Sequence, residues 1–168
     1  MTTLLTFDSI AHHQPGIISA LLTESYEQLL STGQRFWQVQ RIGWAKFDAE
    51  VFNDLATIGQ CVFLTRFNSE IIGFSSFDPT RGPLFGIVGH NCILPRFRRQ
   101  GFGQRQIRET LCRLRRRSIK KAIVSTSEHP FFIPAQKMYL SCGFQETKRY
   151  PGDPQLGYRT IEYEIALS

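Results

Sequence analysis

No window of this 168-residue sequence approaches the ~20 consecutive apolar residues of a membrane-crossing helix, so no helical span is expected. The opening stretch, Met1 to Gln14, lacks both a basic n-region and a continuous apolar h-region, which argues against a secretory leader. Four cysteines, Cys61, Cys92, Cys112 and Cys142, form no Cys-x-x-Cys pair and no Cys/His ligand spacing, so reduced and mostly buried thiols are expected. His12-His13 has no ligand partners at helical spacing, and no metal site is expected. There is no linker, repeat or low-complexity block either. A chain of this length with 42% hydrophobic residues can bury one real core and is too short for two ordinary ones. One domain over residues 1–168, soluble and cytoplasmic, is the expectation.

Acidic residues are scarce in the second half, and that imbalance says more than the net charge of +6. Residues 1–85 hold five Lys/Arg against eight Asp/Glu, whereas residues 86–168 hold fifteen against six. A polyanionic ligand bound by the basic half would account for the division.

The basic half contains a strand, a tight Arg/Gly turn and a helix in succession. Leu84 to Leu94 is strand-like, Pro95-Arg96-Phe97-Arg98-Arg99-Gln100-Gly101-Phe102-Gly103 is the turn, and Gln104 to Arg117 is a basic amphipathic run. The first amides of a helix have no intrahelical partner and its dipole adds partial positive charge, so this order makes an anion site. Gly101 and Gly103 let a pyrophosphate approach those amides, and Arg98 and Arg99 add full charges. Alone, Arg-x-x-Gly-x-Gly arises by chance in roughly one chain in twelve of this length, so a second motif has to decide.

That second motif is Pro134-Ala135-Gln136-Lys137-Met138-Tyr139-Leu140-Ser141-Cys142-Gly143-Phe144. Together the two stretches resemble the GCN5-related N-acetyltransferase (GNAT) family. Ile93, Pro95, Arg98, Gly101 and Gly103 match its coenzyme A turn, and Ala135, Tyr139, Gly143 and Phe144 match its later helix. The resemblance covers roughly residues 60 to 166. It departs at Phe132, where the family commonly carries Asn, so no Asn contact to the coenzyme arm is carried over.

Periodicity gives helices over Gly16 to Leu30 and Asp48 to Leu55, then strands over Gln60 to Phe67 and Glu70 to Phe77 joined by Asn68-Ser69. After the central strand and the basic helix come a strand at Lys121 to Thr126, a short helix opened by Pro134 and closed by Gly143, and strands at Phe144 to Tyr150 and Tyr158 to Leu167. The fold class expected is α/β (α+β): a mixed, mostly antiparallel sheet flanked by helices. The resemblance implies the N-acyltransferase fold.

The resemblance further implies acetyl-CoA as acyl donor and direct transfer to a primary amine of a small molecule or peptide. Ile93, Leu94, Arg98, Arg99, Gln100, Gly101, Phe102, Gly103 and Gln104 are the expected coenzyme contacts. Tyr139 is the expected proton donor to the departing thiolate, and main-chain N–H groups near Ile93 the expected oxyanion donors. No base is obvious: His90, Glu128, Asp78 and water are the candidates, with His90 suited by its ordinary pKa of about 6.5. Trp37, Trp44 and Phe47, with Asp153 in the Pro151 to Gly157 loop, are the expected acceptor pocket. Two other functions stay open: an acyl-CoA sensor without turnover, and a basic nucleic-acid-binding module suggested by the Arg-rich helix alone. Homodimer formation is also left open.

Overall fold

The computed structural model describes residues 4–167 of the protein. The strands are β1 (Leu5–Ser9), β2 (Val62–Phe67), β3 (Glu70–Asp78), β4 (Gly86–Ile93), β5 (Lys121–Ser127), β6 (Gln145–Pro151) and β7 (Arg159–Ala166). The helices are α1 (Ile17–Ser25), α2 (Glu27–Leu30), α3 (Arg35–Asn53), α4 (Phe102–Arg116) and α5 (Ile133–Ser141). The seven strands form one mixed sheet in the order β1-β2-β3-β4-β5-β7-β6. The β4/β5 pairing is parallel, at Gly86↔Ala122 and Ile87↔Ile123, whereas β1/β2, β2/β3, β5/β7 and β6/β7 are antiparallel.

The chain divides into two compact units, Met1–Ser76 with His90–Phe102, and Phe77–Gly89 with Gly103–Ser168. In the first, Ile18, Leu22, Trp44, Val51, Leu64 and Phe74 belong to one buried apolar cluster. Helix α1 begins after Gly16, which sits at φ +99° and offers no capping side chain. Its cap comes from α3: Asp48, almost wholly buried, accepts from the N–H groups of Gly16 (2.7 Å), Ile18 (2.8 Å) and Ser19 (3.1 Å). Three otherwise orphaned donors are thereby satisfied by one carboxylate aligned with the helix dipole.

Helix α3 corrects the expectation of a short helix at Asp48 to Leu55. It runs for 19 residues, and its buried positions are Trp37, Trp44, Asp48 and Val51, at helical intervals of 7, 4 and 3. The stripe is narrow, one of its members is charged, and Val39 and Ile42 are apolar but exposed, so the sequence showed little periodicity. Strand β1 went unread for a related reason: at the sheet edge, both of its faces are only half-buried, so no alternation of apolar and polar residues marks it.

The second unit follows the sequence more closely. Ile107, Leu111 and Leu114 of α4 are buried, as their spacing requires. A Cβ on Gly86 would lie 2.6 Å from Leu114 Cδ2, so the glycine in β4 marks the close approach of this helix. Pro134 occupies the first turn of α5 and Gly143, at φ +98°, follows its end.

Removing the cap should be costly. Asp48→Ala leaves three donors of α1 without their carboxylate and should lower unfolding stability by about 2–4 kcal/mol, measured by urea denaturation; a loss under 0.5 kcal/mol would mean that α1 does not need Asp48.

Candidate active site

The turn between β4 and α4 is built around side chains that face inward. Leu94 N–H donates to Ile72 O (2.7 Å), Phe97 N–H to Leu94 O (2.9 Å) and Arg98 N–H to Pro95 O (3.2 Å), which folds residues 95–97 into one 3-10 turn. The Phe102 ring packs 4.7 Å from Phe67 and 6.5 Å from Phe97, fixing the first residue of α4. The Arg98 guanidinium turns back, donating from Nε to Ile93 O (3.0 Å) and from Nη2 to Ser25 O (2.8 Å). Burial holds its pKa below that of a free arginine. Arg96 pairs with Glu24 and Glu70.

What the turn presents outward is therefore smaller than the motif suggests. Arg99 at φ +61° and Gly101 at φ +80° reverse the chain, both are exposed, and nothing lies within 4 Å of where a Gly101 Cβ would sit. Arg99 contributes a full charge, while Arg98 supplies geometry. Gln100 reaches back to Arg96 O, and the Gln104 side chain donates to Ser141 Oγ (2.8 Å), so these two offer main chain. Ile93 and Leu94 are buried. Leu94 N–H is spent on Ile72 and is not available to a ligand.

His90 stands on β4, with its ring 5.1 Å from Phe47 of α3, and its carbonyl accepts from Ser76 Oγ (2.8 Å). The residue is solvent-accessible, yet enough protein surrounds the imidazole that desolvation lowers its pKa. It is thus neutral at pH 7 and able to accept a proton. Trp37 and Trp44 differ from their expected position: at 4% and 3% exposure they are core residues stacked about Tyr26, so Phe47 alone of the three aromatics stands beside a candidate catalytic group. Asp153 is exposed and builds its own turn, accepting from the Gln155 N–H.

The two carboxylates named with His90 are both held by partners. Glu128 is held by Arg149 (2.7 Å) and Arg159 (2.8 Å), which pull its carboxyl down to about 2. Asp78 is lowered by hydrogen bonds from Thr80 and by Arg81. Tyr139 of α5 is 5% exposed, its ring set against Phe144 (5.8 Å) and Tyr163 (6.1 Å). It lies in the second compact unit, and His90 in the first. A groove of about 930 Å³ along α1, α2 and α3, with Ser19, Glu27, Arg41 and Asp48 in its wall, contains none of the residues expected at the site. Ser76, which bonds the His90 carbonyl from inside an apolar strand, was not foreseen, and nothing in the sequence marks it.

The model of the acetyltransferase (GNAT) domain matches residues 59–146. The chain belongs to the GNAT acetyltransferase family. No curated protein sequence is matched. Among solved structures, the fold is similar to a protein from Desulfovibrio desulfuricans assigned to the GNAT family (TM-score 0.75, 11% identity, 99% of this chain and 100% of that one). It is also similar to an assigned acetyltransferase from Salmonella typhimurium determined with acetyl-CoA (0.70, 15%, 99% and 94%). A third is the ribosomal-protein-S18-alanine N-acetyltransferase of Escherichia coli (0.63, 15%, 98% and 95%). For a GNAT protein the turn fits the coenzyme's pyrophosphate: positive φ at Arg99 and Gly101, open space above the glycine, and the start of a 15-residue helix.

The Glu128 tie gives a pH dependence of known sign. A carboxylate whose folded pKa is depressed contributes stability that is present above its unfolded value near 4.5 and lost as pH falls toward 2. In an NMR titration the Glu128 carboxyl should have its midpoint near 2, and Glu128→Gln should remove that part of the acid dependence of unfolding; a midpoint above 4 would show the Arg149/Arg159 clamp to be open in solution.

Proposed function

We propose that this protein transfers the acetyl group of acetyl-CoA to a primary amine, the whole chain acting as one N-acetyltransferase domain in the cytoplasm. The observation that carries the reading is the turn from Ile93 to Gln104. Its inward-facing anchors leave the Arg99 charge and a run of main-chain amides at the start of α4, which suits a pyrophosphate.

Acetyl-CoA supplies an activated acyl group as a thioester. Amides from Arg99 to Gln104 hold its pyrophosphate, so positioning of the thioester is a large share of the rate gain. β4 main chain before Leu94 polarises the acyl oxygen. His90, neutral at pH 7, takes a proton from the attacking amine directly or through water. The Tyr139 hydroxyl gives a proton to the thiolate as it leaves; a phenol near 10 and a thiol near 8.5 are matched closely enough for transfer.

For the acceptor, Phe47 beside His90 offers an apolar ring, and the unit that holds both has seven Lys/Arg against seven Asp/Glu, so it does not favour a polyanion. An α-amino group, near 7.7–8.0, loses its proton far more readily than a lysine side chain near 10.4. The name of the Escherichia coli relative, an alanine N-acetyltransferase, supports the same class. The acceptor proposed is an α-amine of modest size with an apolar portion.

Three measurements test these roles. Gly103→Glu places a carboxylate in the pyrophosphate site and should abolish acetyl-CoA binding in calorimetry; wild-type affinity refutes the assignment of the turn. Tyr139→Phe keeps the ring packing and should lower kcat about 100-fold with acetyl-CoA affinity unchanged; unchanged kcat, with chemistry rate-limiting, returns Tyr139 to the core. At saturating amine, kcat should rise with pH through a midpoint below 6.5 as His90 loses its proton, and His90→Ala should remove that limb; the same limb in the variant excludes His90 as the base.

A further inference from the structure

All of the net charge resides in the unit formed by residues 77–89 and 103–168, which has thirteen Lys/Arg against seven Asp/Glu. Six of those seven carboxylates are already in ion pairs. The surplus is not spread evenly. Arg105, Arg108, Arg115 and Arg116 of α4, with Lys120 just beyond it, are exposed and have no ion pair among the described residues.

At 3.6 residues per turn the four arginines fall within an arc of about 100° and a length of about 16 Å. They lie on the side of α4 away from buried Ile107, Leu111 and Leu114. Repulsion among like charges on one helix face is destabilising, and the helix C-terminal dipole compensates only the last turn. Arg115 and Arg116 stand about 16 Å along the helix from Gln104, too far for a pyrophosphate at the helix start to engage them.

We infer that the outer face of α4 is a docking surface for the phosphodiester backbone of a nucleic acid, separate from the coenzyme turn. A strand with phosphates at about 3.4 Å along the axis places about five against a 16 Å stripe. Guanidinium groups match phosphate oxygens two at a time, which a row of lysines would not. None of the exposed large apolar side chains lies on α4, so the face lacks the wedge with which an amphipathic helix enters a membrane. It equally lacks the aromatic anchors of a protein interface. Binding through phosphates alone is independent of base sequence and steeply salt-dependent.

The test uses the full chain and a fluorescein-labelled 20-nucleotide single-stranded oligouridylate, followed by anisotropy from 50 to 300 mM KCl. Four phosphate contacts give a slope of log affinity against log salt of about −3, and Arg115→Gln/Arg116→Gln should reduce it by about 1.4 while weakening binding at least tenfold at 50 mM. Acetyl-CoA affinity should be unchanged in the variant. The proposal is overturned if the RNA does not bind at 50 mM, if the double variant keeps the wild-type slope, or if saturating acetyl-CoA displaces the RNA. Tighter binding to phosphatidylserine vesicles than to RNA would also overturn it. Should the double variant lack a cooperative melt, Arg108→Gln is read in its place, with a slope change of about 0.7.

Discussion

One guanidinium ties down the turn between β4 and α4. Arg98 joins Ile93 at the end of β4 to Ser25, the last residue of α1, through two main-chain carbonyls. The carbonyls at a helix C-terminus carry partial negative charge and lack intrahelical donors, so a cation there meets both needs at once. The motif's arginine is thus tied to main chain at both ends of its guanidinium. Its charge is set against the dipole of α1, and the chain after it is forced through positive φ at Arg99 and Gly101 before α4 begins.

The neighbouring charges obey the same logic. Arg96 is taken up by Glu24 and Glu70, and Asp48 by three amides of α1, so these charged groups serve to fasten helices and strands. Opposite behaviour is seen along α4, whose arginines are left to solvent except for Arg113 on Glu109. Charge in this protein has two uses, and what separates them is whether a partner is within reach.

The sequence was legible where one residue type has one structural meaning. Pro134 and Gly143 bracket α5, Asn68-Ser69 closes the β2/β3 hairpin, and Arg-x-x-Gly-x-Gly marks the turn, because proline, glycine and tight turns restrict φ locally. Reading failed where burial depended on distant partners. Trp37 and Trp44 looked like pocket walls because nothing local says that they stack about Tyr26. Glu128 gave no local sign of its clamp by Arg149 and Arg159, 21 and 31 residues away. Asp48 was read as the start of a short helix, and is a buried cap for another helix. Arg98 was located correctly in the chain, but its direction was set by Ser25, 73 residues earlier.

Cys92 gives the Arg98 tie an observable counterpart. The thiol is buried against α1, and burial pushes its pKa up to about 11, with Ser25 and Arg98 among the groups that pull it back. At neutral pH the thiolate is therefore scarce there, and burial shields the sulfur from reagents. The other three cysteines are only partly buried. Alkylation therefore sorts the thiols in time, and the slowest of the four, Cys92, is a clock for how often the apolar cluster around it opens.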